Sequence, residues 1–461
     1  MNRLMQMRSA TLKTIIEKTL PLTLGVFAIM MVQLVDSIFI GQLGVNELAV
    51  HGITLPFQAA FTGVQVGIGV AATSIISQAV GAKEQRKSTS IATLSVGFGV
   101  LVIALICLGL IVFSDSVFSS FVNDVSDAQY QSMLSIFNVY WPLWLFSALM
   151  VAVLYLATCV YRANGDTKTT GSMFLAASVI NLILDPILIF GLDMGIAGAA
   201  IASSIGYAFG AIYMLIKSRG KGWFGFNGAC RNQIKGYSFE LFKTVMPTTA
   251  NQILPAVSAF FSMLLIARIG TDEMAFWSLL ARVESFMLVF SLALTMSIPP
   301  MIGRYLGAQQ RCKIPELLNT TAKFLLVFHT AMAALLALFS GWIIPVISEE
   351  QNIRSWFEVT LLFIPFSYGP LGLCMLVASV FNALGVPRKA LNVSFLRLFV
   401  FYIPALWLGS ITGEMINAVI AATVANVLAG AFAWFKLNAY IKTHIIPRAA
   451  AANKQRVLSA G

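Results

Sequence analysis

From Pro21 to Gly44 the chain reads PLTLGVFAIMMVQLVDSIFIGQLG. About twenty apolar residues in one run are enough to cross a hydrocarbon core roughly 30 Å thick as a helix. The pattern recurs: about twelve long apolar segments follow one another, centred near residues 28, 63, 101, 145, 179, 206, 254, 288, 331, 368, 400 and 427. Composition agrees, at 58% hydrophobic and 11% charged residues, against roughly 45–50% and 25% in soluble domains. The expectation is an all-α polytopic membrane protein. The N-terminal Met-Asn-Arg segment leads straight into a span too long for a signal-peptide core and shows no small-residue cleavage pattern, so no removable leader is expected.

Asp36 stands inside the first span. An ionised carboxylate at the bilayer centre costs about 2.5–3.5 kcal/mol on insertion scales, so chains place one there only with a partner or pathway to receive it. That cost is close to the roughly 4 kcal/mol separating an ordinary aspartate from one that titrates near neutrality. Burial alone can therefore poise Asp36 to take up and release a proton. Pro21 has no N–H for the carbonyl of Glu17 and leaves a weak point near the start of the same helix. The two together read as a bendable helix carrying a titratable switch.

The net charge of +11 would suggest nucleic acid in a soluble protein, but the basic residues alternate between loops. Lys83, Arg86 and Lys87, then Arg162 and Lys168, Lys217 to Lys235, Arg304 to Lys313, Arg388 and Lys389, and both tails are basic. The intervening loops carry Asp115, Asp124, Asp127, Asp193, Asp272, Glu349 and Glu350. By the positive-inside rule both termini are cytoplasmic, which requires an even number of spans, and no nucleic-acid partner is expected.

A shift of 226 residues lays Pro21 on Pro247, Gly44 on Gly270, Glu47 on Glu273 and Gly81-Ala82 on Gly307-Ala308. Later, Ala163-Asn164-Gly165 matches Ala383-Leu384-Gly385 at a shift of 220. The chain is thus a duplication of six spans. Six being even, the halves share one orientation, a parallel repeat about the membrane normal, with a substrate cavity expected between the lobes. The expected division is an N-lobe over 1–217, a basic Gly-rich cytoplasmic linker over 218–239, a C-lobe over 240–445 and a cytoplasmic tail over 446–461. The linker's charge suits a topology signal, with acidic lipid as the other reading.

The halves differ in chemistry. Asp36 falls on Ser262 under the 226 shift, and the N-terminal half alone holds a second buried acid, in AASVINLILDPILIFGLDMG. Asn181 and Asp185, four apart, share a helix face, and Pro186 leaves the carbonyl of Leu182 without a donor. Tyr140 and Trp141 in the fourth span offer a phenol and an aromatic wall for a cation, or belong to the interfacial belt. Arg282 and Glu284, too close in sequence to share a face, read as a structural residue and a second proton-handling candidate. Cys107, Cys159, Cys230, Cys312 and Cys374 lack metal or redox spacing. His51, His329 and His444 have no ligand-spaced partners, so no metal site is expected.

Taken together, Pro21 and Asp36, Gly81-Ala82, the Arg162-Ala-Asn-Gly-Asp-Thr-Lys turn, Asn181 and Asp185, and two six-span halves resemble the MATE (multidrug and toxic compound extrusion) family over almost the whole chain. Within it the pattern is similar to the branch of the DNA-damage-inducible protein F. The resemblance implies twelve transmembrane helices in two six-helix lobes in a bacterial inner membrane, and efflux of drugs and organic cations rather than catalysis. It implies a cation-coupling network of Asp36, Asn181 and Asp185 with Pro21, a role for Tyr140, and a hydroxyl at Ser203 where relatives can offer a threonine to sodium.

The sodium-coupled branch uses carboxylates in the seventh and tenth spans, whereas here the seventh reads PTTANQILPAVSAFF and the interior of the tenth has none. Coupling through the N-lobe is the expectation, with H⁺ as the favoured ion and Na⁺ the alternative, since four oxygen-bearing side chains suit either. No cofactor is expected, and the chain reads as a monomer among membrane lipids. In the expected cycle, protonation of Asp36 competes with substrate bound near Asp36, Tyr140 and Trp141, and bending at Pro21 expels it. Among rivals, a major facilitator antiporter would carry a Gly-x-x-x-Asp-Arg-like loop where this chain has GAKEQRKS. A lipid-intermediate flippase would bring more spans and a basic cavity. An intramembrane prenyl transferase would need an Asp-Asp-x-x-Asp run for Mg²⁺.

Overall fold

The computed structural model describes residues 2–122, 126–226 and 228–447. Asp124 of the acidic loops and the expected tail from residue 448 onward lie outside the described residues. In chain order the helices are α1 (Asn2–Leu43), α2 (Val45–Gly81), α3 (Gln85–Val112), α4 (Ser114–Phe121), α5 (Asp127–Ala163), α6 (Thr167–Pro186), α7 (Gly195–Gly220), α8 (Arg231–Ile266), α9 (Thr271–Met287), α10 (Val289–Gly307), α11 (Lys313–Leu338), α12 (Ser340–Ile347), α13 (Gln351–Thr360), α14 (Ile364–Ala383), α15 (Pro387–Phe395), α16 (Ile403–Ser410) and α17 (Met415–Tyr440). Three π-helical turns, Ile187–Gly191, Leu396–Tyr402 and Ile441–Ile445, continue α6, α15 and α17. Among the described residues, eleven helices or continuous helical runs are long and apolar enough to cross a membrane, and α9 with α10, bent by 42°, makes twelve if counted as one span. The protein is an all-α, multi-pass membrane protein, and the helical run α9–α10 is bent at Leu288.

The spans are built outside-in relative to a soluble helix. On α3, Leu101, Leu105, Leu108 and Val112 are exposed, while Ser88, Ser90, Ser95 and Gly99 are buried. Lipid tails reward apolar surface no less than a core does, so helices meet through small residues that let their backbones approach.

The duplication visible in the sequence reappears as repeated backbone punctuation. At the end of α5, Gly165 has φ 91° and the bonds Asn164 N to Val160 O, Gly165 N to Arg162 O and Asp166 N to Tyr161 O close the helix. At the end of α14, Gly385 has φ 76° with Leu384 N to Val380 O, Gly385 N to Asn382 O and Val386 N to Phe381 O. Only glycine adopts that backbone without strain, which is why both halves keep it. Lys83 and Gln309, 226 apart, are likewise left-handed, at φ 61° and 57°. Glu47 and Glu273 fold back over Gly44 and Gly270, where a Cβ would strike their carboxylates, as a carboxylate at the third position of a helix does when it caps the N-terminus.

The chain divides into two compact units. The first takes in the chain up to Leu20, Ser77–Lys83 and everything from Ala250. Its cores are formed around Leu294, Leu325, Leu376 and Phe381 and around Phe276, Phe357, Tyr368 and Leu406. Ile15 of α1 belongs to the former, and the Thr19 and Ser297 hydroxyls lie 2.8 Å apart. The second unit comprises Pro21–Ile76 and Glu84–Thr249, with a core rich in aromatics around Phe118, Phe137 and Trp141. Helix α7 runs on to Gly220 and α8 begins at Arg231, so the linker expected over 218–239 is helical at both ends.

Within the second unit that linker is tied down. Asp166 caps α6, its Oδ1 accepting from Thr169 N at 3.0 Å, and its Oδ2 accepts from Lys221 Nζ at 3.0 Å. Lys221 also lies 4.3 Å above the Trp223 ring, and Gly225 N donates to Thr93 Oγ1 at 2.8 Å. Partial burial pushes the Asp166 carboxyl up, but the Thr169 and Lys221 donors outweigh it and hold the group below its ordinary 3.8. Its native value being the lower, Asp166 contributes full stability above that ordinary value and loses the contribution as pH falls through the native one. Asp166→Ala is expected to cost about 1 kcal/mol at pH 7. In thermal unfolding of the detergent-solubilised protein, the gap to the unmodified chain should narrow as pH drops below 3.8.

Candidate functional site

Helices α1 and α6 run side by side in the second unit and touch at two places. A Cβ on Gly171 would fall onto the carbonyl and ring of Pro21, and one on Gly25 would lie 2.9 Å from both Gly171 O and Phe174 Cβ. Glycine at 25 and 171 thus allows the two backbones to meet. About fourteen residues on in each helix, roughly 21 Å at 1.5 Å per residue, Asp36 on α1 meets Asn181 and Asp185 on α6. The helices are therefore parallel, pinned by glycine at one end and by polar groups at the other.

Asp185 and Asn181 are buried, 0% and 3% exposed, while Asp36 and Ser203 of α7 are half-buried. The orientation of the Asn181 amide follows from its neighbours, because an oxygen turned to two carboxyls would be repelled. Its Nδ2 donates to Asp36 Oδ1 and Asp185 Oδ2, each at 3.1 Å, and its Oδ1 accepts from Ser203 N at 3.1 Å and Ser203 Oγ at 2.9 Å. One amide bridges two acids and is itself held by one serine. Bonded to the same amide nitrogen, the carboxyls of Asp36 and Asp185 are held side by side. Such a contact is attractive only when one of the oxygens carries a proton. Pro186 follows, and the chain loosens into the π turn Ile187–Gly191, a distortion of the kind frequent at functional sites.

A second layer of hydroxyls faces the acids. Tyr140 on α5 is 2% exposed, its hydroxyl is 3.0 Å from His51 Nδ1 on α2, and it lies in the electrostatic field of Asp36. Thr54 Oγ1 donates to His51 O at 2.7 Å. Tyr207 on α7 lies in the field of both Asp36 and Asp185. Sequence reasoning passed over Tyr207 and weighed His51 only as a metal ligand. The signal for Tyr207 was its position four residues after Ser203, on the same helix face.

The structure brings Asp36, Asn181, Asp185 and Ser203 together and sets Tyr140 beside them. Pro21 is at the opposite end of the α1–α6 contact. Trp141 is 1% exposed; it stacks on Phe137 at 5.0 Å and Trp144 at 5.4 Å, and its indole N–H donates to Leu110 O at 3.2 Å. Arg282 and Glu284 lie on α9 in the first unit, Arg282 exposed and Glu284 half-buried. No group of three or more His, Cys, Asp or Glu side chains disposed to hold a metal ion occurs among the described residues.

The MatE family model matches residues 21–187 and 247–408, two stretches that open at Pro21 and Pro247 and together cover well over half of the chain. The chain belongs to the MATE family. Among solved structures, the Vibrio cholerae MATE transporter VcmN superposes with a TM-score of 0.88 in its bent form, at 37% identity over 95% of this chain and 98% of the other. An aspartate-to-asparagine mutant of VcmN gives 0.89. An FAD transporter of Shewanella oneidensis is 27% identical over 91% of this chain and 92% of its own length. The multidrug export protein MepA of Staphylococcus aureus is 25% identical over 64% of this chain and 65% of its own. This MATE protein is thus a membrane transporter.

The Gly171 contact makes a prediction. Gly171→Val should push α1 off α6 and destabilise the protein by about 1–3 kcal/mol, as overpacking does, whereas Gly97→Val, at a position with nothing within 4 Å, should leave the melting temperature unchanged. Thermal unfolding in detergent compares the two.

Proposed function

We propose that this protein is a multidrug efflux antiporter that exports hydrophobic, mostly cationic organic compounds in exchange for protons. The observation that carries the reading is the buried bridge from Asp36 through Asn181 to Asp185, two acids in one unit of a membrane protein with no basic partner in the bridge. Two carboxyls so close share protons as a pair, and their titration belongs to the pair. A cationic substrate near Asp36 and Tyr140 competes for the same charge.

The cycle follows from that competition. With substrate bound, the pair is ionised and offsets the positive charge. Proton uptake from outside neutralises Asp36, removes its repulsion from Asp185 and re-pairs the Asn181 amide. Helix α1 then bends at Pro21, where the hydrogen bond to Glu17 is missing, and substrate leaves outward. Proton release to the cytoplasm resets the site. Both termini and the basic loops are cytoplasmic in this reading, the membrane is a bacterial inner membrane, and the unit of function is a monomer needing no cofactor. The multidrug export relatives support efflux; the FAD transporter relative supports a flavin-type substrate as a second reading.

Proteoliposome transport of ethidium, with a pH gradient and a sodium gradient imposed separately, tests this. The pH gradient alone should drive uptake, and Asp36→Asn should reduce it at least a hundredfold while the protein still folds. Transport driven by sodium alone would assign the acids to Na⁺, and parental activity in Asp36→Asn would remove them from coupling. Pro21→Ala should lower the rate about tenfold with ethidium affinity kept within twofold; loss of affinity instead would make Pro21 part of the binding site.

A further inference from the structure

The proton cycle leaves several intramembrane charges unused, Arg397 among them. Arg397 lies near the middle of the span Pro387–Ser410, about 15 Å from its start. None of the ion pairs Lys13–Glu17, Lys87–Glu240 and Lys221–Asp166 involves it. A guanidinium held at mid-membrane without a partner is costly enough to mark a binding function by default.

Its surroundings are polar and equally short of partners. Glu284 of α9, Cys374 of α14 and Tyr402 lie within its electrostatic range. The Tyr368 hydroxyl of α14, in a side chain 0% exposed, makes no hydrogen bond and lies in the field of Glu284 and Tyr402. A buried phenol left so forfeits about 1–3 kcal/mol. Around these groups is an apolar shell that includes Leu280, Met287, Leu371 and Leu406. Arg397, Glu284 and Tyr402 keep accessible surface, being half-buried, so ligand atoms can reach them.

The backbone adds an independent sign. Arg397 and Tyr402 fall within the π turn Leu396–Tyr402, and the first half has its own π turn directly after Asp185-Pro186. Both halves thus loosen a helix, the first at the end of its span beside an acid and the second near mid-span around a base. Such turns concentrate at functional sites.

We propose that Arg397 binds the anionic group, a phosphate or a carboxylate, of an organic substrate. The planar guanidinium fork matches either group bidentately. Glu284 offsets its charge from beyond ion-pair distance, so the fork's donors stay open to the ligand. This rests on the reading that the protein exports organic compounds, and extends its substrates to those joining an aromatic body to an acidic group.

Riboflavin and flavin mononucleotide carry the same ring without and with a phosphate, and their affinities are read by fluorescence titration of the full-length protein in phosphatidylcholine nanodiscs, so that lipid phosphate competes throughout. The mononucleotide should bind at least tenfold more tightly. Arg397→Gln should abolish that difference, leaving riboflavin and ethidium affinities within twofold; Arg397→Lys should keep about a threefold preference, and Glu284→Gln should widen it. Equal affinities of the two flavins for the unmodified protein, or an undiminished gap in Arg397→Gln, would overturn the proposal. So would loss of all binding in Glu284→Gln, the mark of a structural Arg–Glu pair. Because the readout is equilibrium binding, it stands or falls separately from proton-driven ethidium transport.

Discussion

Two carboxyls share one amide inside a membrane, and the arrangement of the second unit follows from the need to satisfy them. A lone aspartate at that depth costs a few kcal/mol; two without donors would cost more. Asn181 supplies both donors from α6 and is itself fixed by the backbone and hydroxyl of Ser203 on α7, so three helices are committed to one hydrogen-bonded group. Glycine at 25 and 171 then sets how closely α1 can approach, and with it whether Asp36 reaches the amide.

The duplication explains the scaffold and leaves the chemistry free. Glycine turns, left-handed residues and the glutamates folded over helix starts recur in both halves because they answer backbone requirements that each half meets separately. Side chains facing the interior meet no such requirement. Ser262 stands where the first half has Asp36, and each half carries a π turn of its own at a different register, after Asp185 in one and around Arg397 in the other.

How much was legible in the sequence depended on whether a signal was local. Twenty-residue apolar runs announce spans, and Asn181 and Asp185 could be put on one face because four residues make a helical turn. That Asp36 meets them was carried by resemblance, since no local rule joins residues 145 or more apart. Trp141 stacks on Phe137 and Trp144, one turn away on its own helix and so legible by spacing, while its edge-on contact with Phe57 of α2 had no local signal. The bend at Leu288 left no trace because helical hydrogen bonding continues across it, from Leu288 N to Glu284 O and from Leu292 N to Leu288 O. Arg397 was legible in principle as a single base in an apolar run, but the neighbouring Arg388 and Lys389 drew attention to the loop.

Everything turns on whether the Asp36–Asp185 pair holds a proton that moves. Infrared difference spectroscopy of the protein in lipid, titrated through neutral pH and repeated with Asp36→Asn and Asp185→Asn, measures it directly through the carbonyl stretch of a protonated carboxyl. The account predicts a band that disappears on raising the pH or adding a cationic substrate, and that is missing or displaced in each variant. Two carboxylates ionised at every pH tested, with no such band and no response to substrate, would contradict it.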